Sequence, residues 1–224
     1  EQYTEARLKL LAAERELTKQ REAVAAQRRT LPWVKIDKSY RFESADGPLG
    51  LADLFRGQSQ LLIYHLMFAP DWEAACKSCT FWADSFDRIV PHLKARDVSF
   101  TGISRAPVPK LQAYARRLGW SFPWVSAGAS DFNYDFAVSF TPEQIERGSG
   151  TYNYGATPVD ETDLPGYSVL ARDDAGAIFH TYSTFARGID ALNPVYQALD
   201  LVPKGRDEAH LKQTMSWVKR RDEY

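Results

Sequence analysis

The chain has 224 residues, with 28 Lys and Arg against 29 Asp and Glu, and only two cysteines. At about 150 residues per domain this is one large domain or one domain with an appendage, long enough to bury a core without disulfide or metal staples. A net charge of −1 lacks the basic surplus of a nucleic-acid binder, no apolar run approaches the ~20 residues of a bilayer span, and two cysteines are too few for a disulfide scaffold.

Residues 1–30 are rich in Ala, Glu, Arg, Lys and Gln, hold no Gly or Pro, and end at Thr30-Leu31-Pro32. Proline disfavours helix at the residue before it, so a helix of about 28 residues is expected to stop there. Tyr3, Leu10, Leu17 and Val24 recur every seven residues with Ala6 and Ala13 beside them. Gln20 and Gln27 then interrupt the second seam position, which argues against a strong coiled coil. The arm is read either as an amphipathic helix lying on its own domain or as a homodimerisation element.

Beyond the arm, Trp33-Val34-Lys35-Ile36 and Tyr40-Arg41-Phe42 read as short strands, followed by an Asp46-Gly47 turn. Leu61 to Phe68 is a nearly continuous apolar run, as expected of a strand buried on both faces. Trp82, Phe86, Ile89, Val90 and Leu93 follow at helical spacing. Val98 to Ile103 is a second central strand. Leu111, Tyr114, Ala115 and Leu118 mark a helix that Gly119 closes. Pro123 to Val125 reads as a short strand. The stretch 127–166 is too long for a simple connector, and its aromatics (Phe132, Tyr134, Phe136, Phe140, Tyr152, Tyr154) imply packing, either as a lid over the cysteines or as cover for another face. Tyr167 to Arg172 and Ala177 to Tyr182 form a hairpin around Asp173-Asp174-Ala175-Gly176, and Ile189 to Leu199 reads as a closing helix. The order is that of an α/β layer plan with a mixed sheet.

Both cysteines stand together in Cys76-Lys77-Ser78-Cys79, between the apolar strand and the Trp82 helix. Cysteines three apart at a helix start can close a disulfide. The free N–H groups and dipole there favour the thiolate of the first, Lys77 adds positive charge, and the second is placed to resolve a mixed disulfide. His65, His92, His180 and His210 show no paired spacing that would complete a zinc site. A redox pair is the expectation, against inert core cysteines as the alternative.

The strand, loop, C-x-x-C and helix resemble the thioredoxin superfamily. Pro91, about four turns in, resembles the kink proline of that family's first active-site helix. Leu164-Pro165-Gly166-Tyr167 resembles its cis-proline loop, which makes Pro165 a substrate-docking residue, with Pro158 the weaker candidate. Gly47 to Phe55, Phe68-Ala69-Pro70, Gly102-Ile103-Ser104 and Phe122-Pro123-Trp124 are similar to the peroxiredoxin branch, and Cys79 to Asp84 is similar to the segment around a resolving cysteine there. That branch expects a hydroxyl residue where Glu73 stands, and a carboxylate there would repel a thiolate. The thioredoxin pattern expects a buried acid in the strand, and Leu61 to Phe68 has none. His65 is the acid–base candidate in its place, against a hydrogen-bonded core histidine, and Tyr64 is read as packing. The closest overall resemblance, over nearly the whole chain, is to the bacterial family "domain of unknown function 899". It rests on Phe68-Ala69-Pro70-Asp71-Trp72, the segment Cys76 to Asp84, Asp131-Phe132-Asn133-Tyr134-Asp135-Phe136 and Pro203-Lys204-Gly205-Arg206-Asp207, among others.

The expected fold is α/β and thioredoxin-like of the peroxiredoxin type: a central mixed sheet flanked by helices, with a helical arm at 1–30, a domain at 31–203 carrying an insertion at 127–166, and a C-terminal tail at 204–224. The expected function is thiol–disulfide exchange by Cys76 and Cys79 on a protein or small-molecule thiol or disulfide substrate. The alternatives are a thiol peroxidase with Cys76 peroxidatic, and a redox-inactive binding protein. Arg105, at the end of the sheet where open α/β proteins bind ligands, is a candidate contact for an anion or thiolate, against an ion pair. His180, Tyr182 and Arg187 form a further candidate cluster. Lys219-Arg220-Arg221 reads as a solvated tail. No metal, flavin or nucleotide motif implies a cofactor, and a cycling pair fits a reducing cytoplasm.

Overall fold

A computed structural model describes residues 1–224 and divides them into two units, Glu1–Val34 and Lys35–Tyr224. The first unit holds helix α1, Gln2–Arg29, which ends at Thr30 as the proline signal predicts and has no buried side chain.

Beyond α1 the chain builds a mixed sheet of eight strands in the order β1-β8-β7-β4-β5-β6-β2-β3. These are Val34–Lys35 (β1), Arg41–Ser44 (β2), Gly47–Gly50 (β3), Gln60–His65 (β4), Val98–Ser104 (β5), Trp124–Ser126 (β6), Gly166–Arg172 (β7) and Ile178–Phe185 (β8). Parallel β4 and β5 pair from Gln60↔Val98 to His65↔Ile103. A parallel pair needs a crossover, and it is supplied by Lys77–Ala83 (α2) and Phe86–Lys94 (α3). β7 lies antiparallel on the other edge of β4, with Tyr64 opposite Tyr167, and carries β8 outside it. This is the expected thioredoxin-like arrangement, with β6, β2 and β3 extending the sheet beyond β5.

Alternation along β4 sorts its side chains between two cores. Tyr64 faces α2, α3 and Val108–Leu118 (α4), in a cluster with Cys79, Trp82, Phe86, Phe100 and Tyr167. Leu61 and Ile63 face the opposite side, among Leu54, Phe55 and Phe132. The Gly119 stop is observed: its φ of 66° is left-handed, where glycine carries no Cβ penalty, and it ends α4.

Three expectations change. The single helix predicted after the cysteines is broken at Asp84 and Ser85, where Asp84 accepts the Trp120 indole N–H at 2.8 Å and the Ser85 hydroxyl bonds to the Trp82 carbonyl at 2.8 Å. The closing helix is a 3₁₀ turn at Ala186–Leu192, then a short helix at Pro194–Leu199 that Asn193 caps. The tail at 204–224 is packed: Val218 is fully buried, Trp217 meets Phe81 edge-on, and Arg220 reaches the Tyr114 hydroxyl at 2.8 Å and the Ala75 carbonyl at 2.9 Å.

Candidate active site

The cysteines sit where β4 gives way to α2. Between them runs the loop 66–76, apolar enough to bury Leu66, Phe68, Ala69 and Ala75. Its backbone is anchored from several directions. Leu66 N–H donates to Ile103, Ala106 N–H to Phe68, and Cys76 N–H to Met67. Lys110 holds the carbonyls of Pro70 and Trp72 at 2.9 and 2.8 Å, and Thr80 ties the Cys76 carbonyl to Tyr114. Lys110, Tyr114 and Arg220 are site-building residues that sequence reasoning missed. They lie far from the motif in the chain: Tyr114 reads only as part of the apolar stripe of α4, and nothing periodic marks Lys110 or Arg220.

Cys76 occupies the position just before α2 and is half-buried, while Cys79, one turn on, is 2% exposed. Both are free thiols. The hydrogen bond from the Cys79 thiol lowers Cys76 to about 6, against the opposing effect of burial, with help from the N–H groups of Cys79 and Ser78 and from the Ser78 side chain. Burial, and then the bond it donates to Cys76, hold Cys79 well above the ordinary thiol range. The pair therefore divides its protons: Cys76 is the thiolate and Cys79 the thiol that supports it.

Beside the sulfurs lies an apolar cavity of about 220 Å³ lined by Met67, Trp82, Pro165, Ala186, Ile189 and Met215 together with both cysteines. Trp82 is fixed by its indole N–H on the Ile189 carbonyl at 3.0 Å. Met215 belongs to the C-terminal strap. Glu208 anchors that strap by accepting from Tyr196 Oη, Met215 N–H and Trp217 Nε1 on one carboxylate oxygen, at 2.8, 3.0 and 2.6 Å. Lys77 donates to the Ser216 carbonyl at 3.1 Å, turned to the strap instead of the thiolate.

Besides Arg187 at its rim, the other predicted site residue that reaches this cavity is Pro165. Its peptide bond is trans, as is every other in the chain, Pro158 included. Its carbonyl accepts the Tyr152 hydroxyl at 2.6 Å, and that same oxygen receives the Ala186 N–H at 2.9 Å. The backbone edge expected to be open to substrate is thus engaged at Pro165, and Tyr152, one of the insertion aromatics read as a lid or as cover, positions two walls of the cavity.

His65 points to the opposite face of the sheet. It stacks on Phe132 and bonds to Ser168 Oγ at 2.8 Å, in a chain that continues through Ser183 to His180. Burial lowers it to about 3, so it is neutral at working pH and cannot exchange protons with the cysteines. Arg105 is likewise engaged elsewhere, in a bidentate pair with Asp163 at 2.8 and 2.5 Å and a bond to Tyr134. This pair is interior, with side chains 14% and 4% exposed, and it ties the insertion to the end of β5. The early insertion aromatics Phe132 and Phe136 cover the His65 face, and Glu73 is exposed. Arg187 pairs with Asp190 at the cavity rim.

The class of protein this defines is a thioredoxin-like α/β domain with a dithiol at the strand-to-helix junction. The chain belongs to the bacterial family of unknown function DUF899, whose model matches residues 1–224. No curated protein matches it. Among solved structures it is similar to a mutant of peroxiredoxin Q from Xanthomonas campestris, at 17% identity and a TM-score of 0.49, over 76% of this chain and 96% of that one. A peroxidoxin, BcpB, from Mycobacterium tuberculosis matches at 15% identity and 0.47, over 75% and 95%. A hypothetical protein from Sinorhizobium meliloti 1021 matches at 12% and 0.37, over 67% and 70%. No group of three or more His, Cys, Asp and Glu is gathered to hold a metal ion, and no helix is long and apolar enough to cross a membrane.

Proposed function

We propose that the protein is a thiol-based redox enzyme acting as a thiol–disulfide oxidoreductase, with Cys76 as nucleophile and Cys79 as resolving thiol. The observation that carries this reading is the split dithiol: a half-buried Cys76 lowered to about 6 by the hydrogen bond from a buried Cys79 one turn away. The thiolate is the nucleophile in disulfide exchange. Cys76 attacks a substrate disulfide, forms the mixed disulfide and expels one substrate thiolate. Cys79 then attacks Cys76 Sγ, closes the protein disulfide and releases the second. The cavity accepts an apolar neighbour of the substrate sulfur. Redox titration against glutathione, with alkylation and mass measurement of the trapped forms, tests the reading. A pair that does not cycle between dithiol and disulfide defeats it.

A second reading, a thiol peroxidase in which Cys76 becomes a sulfenic acid and Cys79 resolves it, is favoured by the same thiolate beside a small apolar cavity. Neither Glu73 nor Arg105 supports it, since one is an exposed carboxylate and the other is held by Asp163. Hydroperoxide consumption no faster than by free cysteine rejects it.

A further inference from the structure

Charge reaches Cys79 only in passing, when it attacks or leaves. A buried sulfur needs hydrogen-bond donors at that moment, because an unpaired buried charge is costly, and the carboxylate of the cavity lining, Asp190, is held in ion pairs with Arg187 and Arg206. What lies beneath it is a pair of tyrosines. Tyr64 of β4 and Tyr167 of β7 are direct cross-strand partners, their rings 4.8 Å apart, on the sheet face that packs under α2 in one cluster with Cys79. Tyr64 is fully buried, and in the resting dithiol its hydroxyl donates to the Cys79 carbonyl in a long bond of 3.4 Å. Tyr167 is 2% exposed, and its buried hydroxyl has no hydrogen-bond partner at all. A buried hydroxyl without a partner is a cost that native folds avoid. The Tyr167 ring packs on that of Tyr64, whose hydroxyl reaches Cys79, in the cluster that holds the one sulfur that becomes an acceptor during the reaction. Both hydroxyls feel the Cys79 charge: each is held above the usual phenol range by burial first, with Cys79 as the next contributor. They stay protonated, which makes them donors and never bases.

We propose that Tyr64 and Tyr167 form a donor pair for the transient Cys79 thiolate, catalytic in the resolving step and absent from the attacking one. The inference rests on the dithiol reading above. In the step, the Cys79 proton passes to the substrate thiolate released by the first attack. The Cys79 thiolate, held by the tyrosine hydroxyls, bonds to Cys76 Sγ. The bond from Cys76 to the substrate sulfur breaks, and its electron pair leaves on the second substrate thiolate. The dithiol is oxidised by two electrons, and the substrate disulfide is reduced by two.

Ellman's reagent, an aromatic disulfide, separates the two steps in the full-length reduced protein. The first equivalent of coloured thiolate reports attack by Cys76, and the second reports ring closure by Cys79. A hydrogen bond to a charged group corresponds to about tenfold or more in rate. Tyr64→Phe and Tyr167→Phe are therefore each expected to slow the second release by about that factor and to leave the first unchanged. Thermal unfolding of reduced Tyr167→Phe provides an independent check: removal of an unpartnered buried hydroxyl raises the melting temperature while the ring packing remains. Wild-type rates of second release in both variants overturn the inference and leave the dithiol reading standing. Release of only the first equivalent by the wild type overturns both.

Discussion

Removal of the Cys79 thiol is the sharpest test of how the site makes a thiolate. The Cys79→Ala substitution deletes the largest of the influences that lower Cys76 and leaves the N–H groups of Cys79 and Ser78 in place. A hydrogen bond to a charged group contributes about 1.5–3 kcal/mol, or ~1–2 pKa units, so the midpoint moves from about 6 to ~7–8 and stays below the ordinary thiol value of about 8.5. Cys79→Ser keeps a donor at the same place and holds the midpoint close to that of the wild type. The assay is thiolate absorbance against pH, paired with iodoacetamide alkylation of Cys76 followed by mass measurement. The pH profile is the diagnostic, more than the rate at neutrality. At pH 7 a thiol titrating at about 6 is ~90% ionised against ~3% at 8.5, but its nucleophilicity falls ~10- to 18-fold over that difference. The net gain at pH 7 is only ~2–3-fold, and it grows to ~10-fold near pH 6. Because the folded-state pKa is depressed, the associated stability of the reduced protein is fully present above the unfolded thiol pKa and is lost as pH falls through about 6. A wild-type midpoint at or above about 8.5, or one that does not move in Cys79→Ala, refutes the reasoning.

Three further outcomes follow from the packing. Arg105→Ala strands the nearly buried Asp163 carboxylate and is expected to cost about 3–5 kcal/mol in urea unfolding; a loss below ~1 kcal/mol, the size of an exposed pair, would show that the clamp is not structural. Glu208→Ala removes the acceptor of three strap bonds and is expected to speed alkylation of Cys76 by a bulky maleimide about tenfold, through local opening of the strap; an unchanged rate separates the strap from access to the sulfur. Tyr3, Leu10, Leu17 and Val24 remain exposed on α1, so as a pairing element the arm predicts that deletion of residues 1–30 halves the mass seen by light scattering. An unaltered mass removes the arm from any assembly.

The βαβ core was legible because its signals are local. The apolar run 61–68, the helical spacing after Cys79 and the glycine stop at 119 each report a period or a cap that one segment carries by itself. The position of the cysteines at a strand-to-helix junction followed from the same signals. What escaped depends on single long-range contacts. Nothing periodic marks 204–224, whose order comes from Trp217, Val218 and Arg220 docking one by one. The break at Asp84 depends on an indole 36 residues away. Pro165 entered through its resemblance to a cis-proline loop; it lines the cavity beside the cysteines, but sequence carries no record of its isomer, which is trans. His65 and Tyr64 show the limit most plainly. They are neighbours on one strand, and the alternation of β4 sends the tyrosine toward the thiols and the histidine away from them.

Depth is what makes two chemically identical side chains unequal. On an exposed helix both thiols would stand near the ordinary value, and neither would favour attack over resolution. Here the sheet beneath α2 removes Cys79 from water and raises it, so the shared proton settles on the deeper sulfur. The shallower one is left as the anion and is supported by that same proton. The asymmetry must reverse during turnover, because resolution requires Cys79 to carry charge once Cys76 is bonded to substrate and no longer accepts its hydrogen bond. A buried site can make that reversal quickly only if donors already face the deeper sulfur. The tyrosine pair of the Cys79 cluster serves as that donor set, and the partnerless hydroxyl on Tyr167 gains its partner only in the charged state.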